Sequence, residues 1–182
     1  MFRTLLAVAL VLTTGSAIAD VASGPDAGAA VAPLKVLAVT GTHEGKELDI
    51  AAERKDKATV YLFIPNDKWD RPMARYLKTL DKELAGGKEK AEIVAVWLTD
   101  QLDQTKEYLP KMQQSLMMEA TNLTAFIGAK AGPKDWRIND MAHLTAVVAV
   151  RGKVAATFAY QSLNETDVPT VVKALQKAVG EK

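Results

Sequence analysis

From residue 34 onward the apolar positions switch between two spacings: continuous or every-second runs, which predict strands, and i, i+3, i+4 stripes, which predict helices. Residues 34–41 and 46–50, LKVLAVTG and KELDI, predict two short strands about the turn THEG. Residues 58–64, ATVYLFI, form an unbroken apolar run rich in β-branched and aromatic residues, which predicts a buried strand. A helix follows with Pro72 at its first position, where a missing N–H costs nothing. Its apolar face is Met73, Tyr76, Leu77, Leu80 and Leu84, and Gly86-Gly87 ends it.

The alternation continues to the end of the chain. Residues 91–98 predict a strand and 104–119 a helix, with Pro110 predicting a kink or a late start. In that helix Tyr108, Leu109, Met112, Leu116 and Met117 read as apolar packing residues, and Met118 as partly exposed. A short strand over 123–128 and a helical turn over 133–139 come next, with Trp136 expected on the surface. LTAVVAV, then Arg151-Gly152, then KVAATFAY predicts a β-hairpin. The last element is an amphipathic helix with Asp167 as its N-cap and Gly180 at its end. Strands alternating with helices imply an α/β class with a mixed sheet.

The first 33 residues read differently. Residues 1–19 carry Arg3, an apolar run and a terminal Ala17-Ile18-Ala19, the pattern of a secretory signal peptide cleaved before Asp20. Export to a periplasmic or extracellular compartment is therefore expected, with no membrane insertion once the signal is removed. Residues 20–33, small and turn-prone, read as a flexible leader, and 34–182 as one domain.

Charge and cysteine count narrow the chemistry. Without Arg3 the chain keeps 22 basic and 22 acidic residues. That balance leaves no electrostatic footprint for nucleic acid. There is no cysteine. Thiol catalysis, Cys-ligated zinc and iron–sulfur ligation by this chain's own side chains are excluded.

One constellation stands out at the junction of the buried strand and the helix: Trp69-Asp70-Arg71-Pro72-Met73. A second is Thr145 leading a strand into Arg151-Gly152-Lys153. Together with the closing hairpin and helix, these resemble the thioredoxin-like superfamily in its redoxin form. The N-terminal GKELDI and the extra strand and helix over 121–140 resemble redoxin additions. The resemblance implies a mixed central sheet flanked by helices, with an N-terminal hairpin and a redoxin-type insertion. It also implies that Asp70 and Met73 stand where the family keeps its two thiols, and Leu144 where it keeps a cis-proline. Both cysteines are thus replaced, and no carboxylate substitutes for a thiolate in exchange.

The replaced residues have ordinary physical roles. Asp70 is expected to cap the helix, and Met73 to start its buried stripe. The resemblance places the loop Met141-Ala142-His143-Leu144, ahead of Thr145, opposite that helix start. Two functional readings follow. In one, the chain is a non-catalytic, chaperone-like module that binds a protein or peptide partner beside this loop and needs no cofactor. In the other, Met73, Met141 and His143 form a soft Cu(I) site and the chain is a copper carrier. An acid–base role for Asp70 with His143 would require a polar pocket beside them. His43, in the turn THEG, reads as exposed and unpaired.

Overall fold

The computed structural model describes residues 21–87 and 90–180. The signal peptide over 1–19 and its cleavage before Asp20 lie outside the described residues. The elements are β1 (Lys35–Ala38), β2 (Glu47–Asp49), α1 (Ile50–Glu53), β3 (Thr59–Pro65), α2 (Arg71–Ala85), β4 (Glu92–Leu98), α3 (Leu102–Leu116), β5 (Thr121–Phe126), β6 (Leu144–Val150), β7 (Lys153–Tyr160) and α4 (Val168–Gly180). The strands form one seven-stranded sheet in the order β2-β1-β5-β4-β3-β6-β7. Strands β3, β4 and β5 run parallel, and β1, β6 and β7 pair antiparallel with their neighbours. The mixed sheet, the β1–β2 hairpin and the inserted β5 are those expected from the sequence.

Topology decides which face each element covers. From β3 to β4 to β5 the chain steps in one direction, and right-handed crossovers put α2 and α3 on the same face. There Leu62, Ile64, Ala95 and Trp97 pack against Met73, Tyr76 and Leu80 of α2, Leu109 of α3 and Val171 of α4. The other face presents Tyr61, Phe63, Val94, Val96 and Val147. Among the described residues the one α-helix packed there is the four-residue α1, capped by Asp49, whose Oδ1 accepts from the Ala51, Ala52 and Leu34 N–H groups.

Two segments read otherwise in the sequence complete this second face. Trp136 is not on the surface: it is 1% exposed, with its ring 5.0 Å from Tyr61 and 4.9 Å from Phe63. Its indole N–H donates to Pro33 O at 3.2 Å. An isolated short helical turn hides this, because neither period marks a single plug residue. The leader lies against the sheet. Gly28 N–H donates to Val154 O, Val31 N–H to Gly152 O and Gly24 N–H to Arg137 O. Ser23 Oγ lies 2.6 Å from Thr145 Oγ1, and Arg137 pairs with Asp26 at 2.7 Å. Small residues that read as a linker are here the ones that let backbone lie close to the sheet.

Three local expectations are also corrected. Helix α3 starts early, at Leu102, and runs through Pro110 to Leu116. Met117 then caps it in the left-handed region (φ 54°) and turns outward, 73% exposed, while Met118 is buried. Asp167 does not cap α4: its carboxylate accepts the Asn164 N–H in a capping box on the preceding 3-10 turn.

Asp81 of α2 joins helix to sheet. Its buried carboxylate accepts the Glu119 and Ala120 N–H groups, each at 2.9 Å, and the Thr121 hydroxyl at 2.6 Å. Asp81→Ala leaves three donors unpaired, two of them buried, at a penalty of about 1–3 kcal/mol for each buried donor. We expect a loss of about 3 kcal/mol or more in urea unfolding; a loss below about 1 kcal/mol would show that water replaces the carboxylate.

Candidate functional site

The start of α2 is built by its cap. Asp70 is extended (φ −143°, ψ 179°), and its Oδ1 accepts the Met73 N–H at 2.9 Å. The helix begins at Arg71, one residue earlier than the sequence pattern predicts, and Pro72 follows within its first turn. Both positions lack an internal acceptor for their N–H groups, so proline is equally harmless at either. Asp70 and Arg71 are exposed.

Just ahead of the cap, Trp69 is fixed on two sides. Its ring lies 5.1 Å from that of Trp97, and its indole N–H donates to Tyr108 Oη at 2.8 Å. Trp97 is fully buried, and its own indole N–H has no hydrogen-bond partner among the described residues. The Trp69 edge is therefore the polar end of this aromatic stack, and it is presented at the surface. Tyr108 is 44% exposed.

Lys68 Nζ donates to the Asp140 and Ala142 carbonyls, tying Met141-Ala142-His143-Leu144 to the turn before Trp69. Leu144 is buried in the helix-side core, and the peptide bond before it is trans. Thr145 is buried on the opposite side of β6, against Ser23 of the leader. His143 is half-buried, and its backbone N–H donates to Tyr160 O at 2.7 Å. No hydrogen bond or ion pair joins Asp70 to His143 among the described residues.

Met73 and Met141 have opposite surroundings. Met73 is 1% exposed in the core with Tyr76 and Leu77, whereas Met141 is 62% exposed. Among the described residues no three His, Asp or Glu side chains lie close enough to hold a metal ion together. His43 is not unpaired: its Nε2 lies 3.5 Å from Glu53 Oε1, and this contact holds the Glu53 carboxyl below the usual carboxylate range.

Sequence reasoning missed Lys68, Tyr108 and Ser23. A lysine beside a turn reads as solvated, and its two carbonyl acceptors lie more than 70 residues away. Tyr108 and Leu109 are adjacent on one helix and point about 100° apart, so both cannot face the core. Leu109 does, and that geometry alone assigns Tyr108 to the rim.

Two substitutions separate the roles of the replaced positions. Asp70→Ala should cost about 1 kcal/mol of unfolding free energy, the worth of a cap. Met73→Ala should cost about 2–5 kcal/mol, and Met73→Leu less than about 1.5. A Met73→Ala chain as stable as the parent would contradict its place in the core.

No protein-family model matches the chain, and no curated protein matches its sequence. Solved structures do match its shape. The peroxidoxin BcpB from Mycobacterium tuberculosis superposes with a TM-score of 0.60 at 15% identity, covering 83% of this chain and 96% of that one. BsSco, of the Sco family of cytochrome c oxidase assembly proteins, gives 0.57 at 14% identity, covering 85% and 98%. The exposed lipoprotein thioredoxin Etrx1 from Streptococcus pneumoniae strain TIGR4 gives 0.58 at 14%, covering 80% and 99%. At these identities the likeness establishes the architecture: the chain has a thioredoxin-like fold like that of these redoxins, and it contains no cysteine.

Proposed function

We propose that this chain is an exported, non-catalytic binding module that holds an extended segment of a protein partner at the start of α2, in a chaperone-like role. One observation carries the reading. Among the described residues four large apolar side chains are exposed, and two of them, Tyr108 and Met141, flank this site. Tyr108 is held there by Trp69, and Met141 by the two bonds of Lys68 on either side of it. Exposed aromatic and methionine side chains on a fixed support are what recognition surfaces use.

The chemistry of the chain agrees with a binding role. Several proteins of similar shape are named for thiol reactions or for a disulfide switch, and this chain has no thiol. BsSco, of similar shape, is a member of a family of cytochrome c oxidase assembly proteins. The N-terminal signal pattern supports export, and the likeness to an exposed lipoprotein is in keeping with it. No helix among the described residues is long and apolar enough to cross a membrane.

The test is an NMR titration of the chain from residue 20 with an acetylated, amidated nonapeptide of alternating apolar and polar residues. Amide shifts should move at 67–73, 105–109 and 140–144. Met141→Asp, an exposed change, should weaken binding at least tenfold, about 1.4 kcal/mol. Shifts confined to other regions, or a Met141→Asp chain that binds as tightly as the parent, would sink the proposal.

A further inference from the structure

A second feature adjoins that surface and shares Lys68 with it, at the carboxyl ends of β3 and β4. The connections leaving β4 and β5 part company there. Helix α3 packs on one face of the sheet, while the 127–143 connector, with Trp136 and Ile138, packs on the other. Open α/β sheets bind ligands in the crevice that such a divergence creates. Beside that divergence, between the turn after β3 and the 127–143 connector, lies a cavity of about 320 Å³. That is within the range of small-molecule sites, about 300–1,000 Å³.

Its lining combines an apolar floor with four charges. Pro65, Leu98 and Ile138 supply the floor, and Lys68, Lys130, Asp67 and Asp140 the charges. Lys130 Nζ donates to Asp67 Oδ2 at 3.1 Å, and this bond holds the Asp67 carboxyl below the usual carboxylate range. An ammonium has three donors. Lys130 uses one of them and Lys68 two, on the Asp140 and Ala142 carbonyls. Three ammonium N–H donors are left over at one cavity. The Asp140 carboxylate has no hydrogen bond or ion pair among the described residues.

The four charges balance, so neither a simple anion nor a simple cation is matched. A ligand carrying both signs is matched, because each of its charges finds an opposite one above an apolar floor. We propose that this cavity binds a small zwitterion with an apolar side chain, an aliphatic α-amino acid in chemical class. Its carboxylate meets the free donors of Lys130 and Lys68, its ammonium meets Asp140, and its side chain covers Leu98 and Ile138.

The test is an NMR titration with L-leucine, N-acetyl-leucine and leucinamide in parallel. Leucine should move amides at 66–68 and 130–139. N-acetyl-leucine lacks the ammonium and leucinamide the carboxylate, so each should bind at least tenfold more weakly. Lys130→Met and Asp140→Asn should each weaken leucine binding by a similar factor. No shifts with leucine, or either analogue binding as tightly as leucine, would overturn the proposal. Those arms use the unaltered chain and so do not depend on how the variants fold. Shifts at Trp69 and Tyr108 would report the peptide surface instead, so the two proposals fail separately.

Discussion

The burial of one indole organises the functional end of this molecule. Trp136 sits on a 17-residue passage between β5 and β6 that contains a single turn of 3-10 helix. A loop of that length rarely stays ordered without internal structure. Here the ring fills the second face of the sheet against Tyr61 and Phe63, and its N–H closes on the Pro33 carbonyl. Burying an aromatic of this size contributes about 3–5 kcal/mol on the scale of truncation to alanine. That is enough to hold the passage down at one point. Arg137 and Asn139 then reach the leader, through Gly24, Ser23 and Asp26.

Everything at the candidate site depends on that anchor. With the passage fixed, Asp140 and Ala142 present their carbonyls to Lys68, and Met141 is displayed between them. Trp69 is fixed from the opposite side by Trp97 and Tyr108. The result is a surface that displays two exposed apolar side chains on fixed supports. The same anchoring leaves the cavity at the end of β4 open. At the start of α2 the chain thus has a helix cap, Asp70, and a core methionine, Met73, beside two exposed apolar side chains.

How much of this was legible in the sequence varies by the range of the signal. The strands, the main helices and the hairpin follow from local period, and Asp70 as a cap follows from its place before Pro72. The Lys68 tie, the Ser23–Thr145 contact and the seat of Trp136 do not. Each joins residues separated by more than 70 positions, and no local pattern encodes the pairing. The contacts of the leader are hidden for a related reason. Its small residues signal chain freedom when read alone, yet smallness is also what close packing on a sheet requires. The order of Met117 and Met118 was misread because a left-handed cap at Met117 shifts the helical phase by a step that periodicity cannot anticipate.

The most direct measurement is amide hydrogen exchange on the parent chain and on Trp136→Leu. If the buried indole is the anchor, the amides of Gly24, Gly28, Val31, Arg137 and Ala142 lose protection together in the variant, while β3 and β4 stay protected. If the leader and the passage keep their protection without the indole, the site is held by something other than Trp136, and the account of how this end of the fold is built is wrong.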